Sequence, residues 1–237
     1  MYGSSNIKIH LSCRHYLLLP AAKASRPGDL EPLERMDDKV IEAMNSKHGE
    51  AIDLGHRLIT LAYGYYSHAA AIDLAFNKKV LSILTSSGQS GFDSVGTVKK
   101  KNGGSHQFSK SAWLNHDGFT EHIQKDLDRI WLTGALIFAG DSLRMYNYFD
   151  HAPCLELIRH LRNAAAHNNR FRIDNLKLLE SFPAHTKCGP KGYPSNSDFE
   201  VTPALDGTAL MWDFMEPGDI LDAIISAGYY LHEAYST

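Results

Sequence analysis

Nothing in this chain stays apolar for the roughly 18 residues that a membrane helix needs; the best stretch, Leu132 to Ala139, is stopped by Gly140 and Asp141. Cysteine is scarce. Cys13, Cys154 and Cys188 lie far apart and form no CxxC pair, which argues against a disulfide framework and against a zinc knuckle. Charge of one sign is also lacking, with 24 Lys and Arg against 27 Asp and Glu and a formal net charge of -3. The molecule is therefore no polycation built to coat nucleic acid, and any nucleic-acid site has to be a local patch. A GxSxG elbow, a phosphate loop ending in GK[ST], an HExxH pair and a GxGxxG after a strand are all missing. At the start, the short apolar run Tyr16 to Leu19 follows His10, Arg14 and His15 with no long hydrophobic region after it, so it does not read as a signal peptide. The expectation is a soluble, cytoplasmic protein with no cofactor and no membrane partner.

What is present is mostly helical patterning. With 237 residues, 43% of them hydrophobic, the chain can bury a substantial core as one domain with extensions. Ala21 to Glu34 holds two prolines and a glycine among mixed charges, and reads as the link from an irregular N-terminal arm (1–30) to a helical domain (31–237). The first helix is expected near Leu33 to Met44. From Glu50 to Thr85, Ile52, Leu58, Ile59, Ala62, Tyr66, Ala70, Leu74 and Leu81 recur at helical spacing and predict a long helix despite Gly55 and Gly64. Phe119 to Tyr148 predicts another, with Thr120 as N-cap and Ile123, Leu127, Ile130, Leu136, Ile137 and Leu143 on its apolar side. Pro153 suits the first turn of a third helix with Leu155, Ile158, Leu161 and Ala165 as its stripe, and Pro217 and Asp219 open a last one. Ser86 to Ser111, rich in Gly, Ser and Lys, reads as a flexible solvent-facing loop (86–111). Asp206-Gly207, between Phe199–Leu205 and Thr208–Phe214, predicts a β-hairpin over 199–214. The expected fold class is mainly α, an antiparallel helical bundle of four to five helices with a small C-terminal β-hairpin.

The densest polar chemistry lies in Arg159-His160-Leu161-Arg162-Asn163-Ala164-Ala165-Ala166-His167-Asn168-Asn169-Arg170, which contains no acidic residue. A helix advances about 100° per residue, so Asn163 and His167 share a face and Arg162 lies one step round, within reach of one ligand. The three alanines leave little bulk between the polar groups and favour a crevice. A looser Arg and His pair, Arg144 and His151, has Met145 after the arginine in place of a polar residue and spans a helix end; it is set aside.

Arg162-Asn163-Ala164-Ala165-Ala166-His167 resembles the signature of the HEPN (higher eukaryotes and prokaryotes nucleotide-binding) superfamily: an Arg, a polar residue directly after it, and a His four to six positions beyond the Arg. The layout is similar as well, the family motif lying on a helix that follows a long partner helix, which describes about residues 50 to 235 here. The resemblance implies a metal-independent endoribonuclease with Arg162, Asn163 and His167 as catalytic residues and no metal ligands. RNA brings its own nucleophile, the 2'-hydroxyl. His167, with an ordinary pKa of about 6.5, would take or give the proton. Arg162 would bind the scissile phosphate through its planar fork and stabilise the extra negative charge of the transition state. Asn163 would orient the phosphate or His167. One histidine falls short of an acid plus a base, so the resemblance implies a homodimer with its two motif helices facing. A role as a toxin or anti-phage defence effector, with a cognate antitoxin or inhibitor as a further partner, is inherited from the same resemblance.

Beside this centre, Arg159, His160, Asn168, Arg170 and Arg172 are candidates for holding the RNA backbone. Several plainer readings compete. The motif could be a polar helix end, with His167 and Arg170 beside the last carbonyls. The fold could also serve as a non-catalytic module that binds RNA, nucleotide or a protein partner. His116, Asp117, Glu121 and His122 could be metal ligands of a hydrolase, although their spacing matches no recognised set. Asp141 could orient an active-site side chain across the bundle or simply make a structural hydrogen bond, and Tyr63, Tyr65 and Tyr66 could stack on bases or pack in the core.

Overall fold

The computed structural model describes residues 38–77, 79, 82–83, 95–101, 103–109, 121–187 and 198–236. The expected N-terminal arm (1–30) lies outside them, as do Thr120, His116, Asp117 and the side chains of Glu121 and His122. The chain divides into two units, Met1–Ile41 and Glu42–Thr237; the architecture below is that of the second.

The fold is mainly helical, with one two-stranded antiparallel sheet among the described residues. Helix α1 spans Asp38–Phe76, α2 Glu121–Met145, α3 Pro153–Ala166, the short α4 Leu176–Ser181 and α5 Pro217–Ala234; strands β1 (Val95–Lys99) and β2 (Ser105–Ser109) lie between α1 and α2. The two helices expected before residue 85 are one continuous helix through Phe76. Gly49 does not break it, because a glycine in a helix interior costs only about 1 kcal/mol. No described helix is long and apolar enough to cross a membrane.

The core is where α1, α2, α3 and α5 contribute buried residues. Leu58 and Ala62 of α1, Leu132, Leu136 and Leu143 of α2, Leu155, Ile158 and Leu161 of α3, and Ile220, Ile224 and Leu231 of α5 are all fully enclosed. Within each set the residues stand three, four or seven apart, so each helix turns one stripe inward. On α2 the stripe is narrower than the periodicity suggested. Ile123 and Ile130 lie on the exposed side, Ile130 with 70% of its surface open. Helices α1 and α5 cross at two glycines: a Cβ on Gly55 would stand 2.6 Å from the Gly228 carbonyl oxygen, and one on Gly228 would stand 2.8 Å from that of Gly55.

Between α2 and α3 the chain turns through a left-handed corner. Asn147, Tyr148, Phe149 and His151 have φ of 50°, 54°, 54° and 58°, a conformation that costs an L-residue about 1–2 kcal/mol. Burial offsets it. Tyr148 and Phe149 are sunk in the core, the Tyr148 hydroxyl donates to the Gly140 carbonyl at 3.3 Å, and His151 Nδ1 meets the wholly buried Glu156 carboxylate at 2.6 Å.

Two expectations about β structure are corrected. The expected loop at 86–111 contains the sheet, with Val95 opposite Ser109 and Lys99 opposite Ser105. Val95, Thr97, Val98 and Phe108 supply β-branched and aromatic residues, Gly103 turns the chain at φ 83°, and the Phe108 ring lies over Gly96, where a Cβ would meet it at 2.3 Å. Conversely, no hairpin forms over 199–214, because its two halves pair elsewhere. The first half joins the segment after α4, with Thr186 N–H donating to Phe199 O at 2.9 Å and Val201 N–H to Ala184 O at 2.8 Å. The second half joins the segment after α3, through Phe171 N–H to Thr208 O at 3.0 Å and Leu210 N–H to Asn169 O at 2.9 Å. Gly207 does take the positive φ of 79° that a turn needs. The turn follows a single 3₁₀ turn, Pro203–Leu205.

Candidate functional site

Helix α3 positions the motif. Pro153 stands in its first turn, where a missing N–H costs nothing, and its expected stripe of Leu155, Ile158, Leu161 and Ala165 is buried. The helix stops at His167, the C-cap, with φ -101° and ψ 47°; its own N–H donates to the Asn163 and Ala164 carbonyls at 3.0 and 3.1 Å. Asn168 and Asn169 then take left-handed φ of 58° and 62°, which asparagine tolerates better than other non-glycine residues. Arg170 N–H returns to the Ala164 carbonyl at 3.1 Å and closes the helix end.

Arg162 leaves α3 toward α2, and Gly140 makes room for it. A Cβ at Gly140 would fall 2.5 Å from both Cβ and Cγ of Arg162, so the stem of the arginine runs through the notch the glycine leaves. The next residue, Asp141, receives the guanidinium: Nε and Nη2 of Arg162 both donate to Asp141 Oδ1, at 3.0 and 2.7 Å. The carboxylate is half exposed while the Arg162 side chain is 24% exposed. Asp141 thus engages a motif side chain across two helices. Asn163 is half-buried beside Arg162, and the His167 side chain is exposed one turn further on.

The flanking candidates go different ways. Arg159 faces the buried carboxylate of Glu156 through Nε, and its guanidinium lies 5.9 Å from the centre of the Tyr148 ring. Its charge compensates that of Glu156. His160 is similarly withdrawn: burial, reinforced by the Arg159 charge, lowers its pKa to about 4, and at neutral pH it carries no charge for a phosphate. Arg170 Nη1 donates to the Gly207 carbonyl at 2.7 Å and ties the helix end to the 206–211 segment. Arg172 is exposed. Asn168 Oδ1 accepts from Arg129 Nη2 of α2 at 3.2 Å. The set-aside His151 is occupied with Glu156. Of the three tyrosines, Tyr65 donates to Asp128 at 2.8 Å and packs on Trp131, whereas Tyr63 and Tyr66 are largely exposed.

Three residues that sequence reasoning passed over shape this region. Asn169 is buried, and its side chain accepts from Met211 N–H at 2.9 Å, pinning the helix end to the 210–211 segment. Glu156 gathers His151 and Arg159. Arg129 and its neighbours on α2, Asp126, Ile130 and Thr133, face Ala165 and Ala166 across an open cleft of about 710 Å³ whose far end is Asn168 and Asn169. Glu156 and Arg129 stood out in the sequence only as unexplained charges, and Asn169 gave no signal of its own. Among the described residues no group of three or more His, Cys, Asp and Glu is arranged to hold a metal ion.

Compared with protein-family models, with curated proteins and with solved structures, the chain matches none.

Proposed function

We propose that this chain is a metal-independent endoribonuclease of the HEPN type, an antiparallel helical bundle that works in the cytoplasm as a homodimer with its motif helices facing. One observation carries the reading. Asp141 takes the Nε and Nη2 edge of Arg162 on a single oxygen, which orients the fork while Nη1 stays available to a phosphate, five residues before the exposed His167 that caps the same helix. A guanidinium has five N–H groups in a rigid plane, so orientation by a carboxylate and recognition of a phosphate are compatible.

In this scheme the 2'-hydroxyl attacks the adjacent phosphorus and the 5'-oxygen leaves. His167 of one protomer removes the 2'-proton and His167 of its partner protonates the 5'-oxygen. Arg162 takes the growing charge on the non-bridging oxygens, and Asn163 steadies the phosphate. The products carry a 2',3'-cyclic phosphate and a 5'-hydroxyl, and DNA is inert. Service as a toxin or defence effector restrained by an antitoxin fits such an activity.

The test is incubation of wild type and His167→Ala with a labelled structured RNA in excess EDTA, followed by analysis of the ends. Cyclic-phosphate ends from wild type, reduced about 10²–10⁴-fold in the variant, are the expected result; intact RNA with both proteins refutes it. A second reading has its own support: His167 is the C-cap of α3 and Arg162 is already paired, as in a non-catalytic module that binds RNA, nucleotide or a protein partner. That module would bind undiminished after His167→Ala and cleave nothing.

A further inference from the structure

We infer that the cleft between α2 and the C-terminal end of α3 is a nucleotide subsite that prefers guanine, seated beside the RNA-cleaving centre. The inference rests on the proposed function for its substrate and on the cleft itself for its selectivity. At about 710 Å³ the space falls within the ~300–1,000 Å³ of small-ligand sites. Two groups of opposite chemistry line it from one face of α2, Asp126 and Arg129, three residues apart. Asp126 is exposed and makes no hydrogen bond or ion pair among the described residues, so both its oxygens can accept. Arg129 spends one N–H on Asn168 Oδ1 at 3.2 Å and keeps the rest of its five.

That bond also sets the amide. Arginine only donates, so Asn168 must turn its oxygen to Arg129 and point Nδ2 elsewhere as a donor. The opposite wall adds no obstruction: Ala165 and Ala166 carry nothing beyond Cβ, so a flat ring can come close to the helix there. Ile130, 70% exposed, gives the ring an apolar edge to lie against. Ala166 and Asn168, both part of the lining, flank His167 in the chain, so the cleft borders the end of α3 where that residue stands.

Guanine matches this lining and adenine opposes it. The N1–H and N2–H groups of guanine form a donor pair for a carboxylate such as Asp126, and its O6 and N7 form the acceptor pair that an arginine fork takes best. Adenine would turn the N1 lone pair to the carboxylate, which repels it, and would keep only N7 as an acceptor for the guanidinium, with its N6 amino group where guanine has O6.

The experiment uses the full chain, with guanosine 3'-monophosphate and adenosine 3'-monophosphate as probes in calorimetric titration, and maps RNA cleavage positions on the same preparations. The guanosine probe is expected to bind at least about fivefold more tightly. Asp126→Asn removes that preference, and Arg129→Lys, which keeps the charge and loses the fork, weakens the guanosine probe more than the adenosine probe. Equal affinities in wild type, no binding of either probe, or a guanine preference that survives Asp126→Asn overturns the subsite. Cleavage that depends on His167 but shows no preference for guanosine, together with equal probe affinities, refutes the subsite and leaves the ribonuclease standing. Asp126-dependent guanosine binding without any RNA cleavage supports the subsite and refutes the ribonuclease.

Discussion

Helix α2 contains two glycines in interior positions, and replacing each with alanine should move stability in opposite directions. At Gly134 nothing lies within 4 Å of an added Cβ. Gly134→Ala therefore gains only the helix preference of alanine, about 1 kcal/mol, and raises the melting temperature. At Gly140 the same preference is gained, but the new methyl group falls 2.5 Å from two stem carbons of Arg162. Those carbons belong to the root of a half-buried side chain on a packed helix and cannot swing aside as a side-chain tip would. Overpacking of this kind costs about 1–3 kcal/mol. The two variants should then differ by that steric cost alone, since the helix term is common to both. For a chain of this length each kcal/mol moves the midpoint by about 2–4 °C, so the difference is about 2–12 °C, with Gly134→Ala above wild type and Gly140→Ala at or below it. Differential scanning calorimetry reads both. If Gly140→Ala proves as stabilising as Gly134→Ala, then α2 and α3 do not cross with Arg162 in the Gly140 notch, and the positioning argument for the arginine fails with it.

Glu156→Gln should destabilise the fold by about 3–5 kcal/mol in urea titration, because removing one member of a buried pair leaves Arg159 uncompensated; a loss under 1 kcal/mol would show that Arg159 reaches solvent. His160 is held neutral in the fold by burial, whereas the unfolded chain protonates it near pH 6.5. Its contribution to stability is thus intact above about pH 6.5 and is lost as pH falls from there toward about 4; His160→Gln should flatten that part of the pH–stability profile, and an unchanged slope would contradict it. Asn169→Ala should cost about 1–3 kcal/mol, the penalty of leaving the buried Met211 N–H unpaired, with denaturant melts as the check and no measurable loss as the refuting result.

Local signals were legible and long-range pairings were not. Pro153 marked the start of α3 and Pro217 that of α5, where Asp219 accepts from Glu216 N–H at 3.0 Å, because caps and proline positions depend on neighbours a few residues away. The turn chemistry of Asp206-Gly207 was also real, as the φ of Gly207 shows. What the dipeptide could not reveal was the partner: the residues after it pair with the 169–171 segment, a choice made by the packing of the α3 terminus. The sheet at 95–109 was hidden for a compositional reason, its β-branched and aromatic residues being diluted by Lys99, Lys100, Lys101, Gly103 and Gly104. At the site, spacing alone put Asn163 and His167 four residues apart with Arg162 one step round, at the end of α3. Their partners across the helix pair, Asp141 and Arg129, lie 21 and 39 residues from the groups they bind, and no local pattern reaches that far. Nor could spacing show that His160 is buried and Arg159 consumed by Glu156.

The two readings of the motif divide on what Asp141 does to Arg162. Were the pair deeply buried, the carboxylate would cancel the guanidinium charge and a phosphate would gain little from approaching. The carboxylate side chain is instead 49% exposed, and an ion pair in that setting is worth only about 0–1 kcal/mol because water and salt screen it. A charge so weakly bound remains available to a second anion, and a phosphate arriving at Nη1 meets a side chain whose stem the Gly140 notch already holds, which reduces the entropy lost on binding. Asp141→Asn keeps one acceptor oxygen for the fork and removes the competing charge; it should tighten RNA binding and leave the cleavage rate constant within about tenfold, whereas Asp141→Ala frees the fork and should lower the rate constant with little change in affinity. Measured by single-turnover cleavage and by RNA titration of the His167→Ala background, equal effects of Asn and Ala on both quantities would show that Asp141 only neutralises Arg162, as the binding-module reading requires.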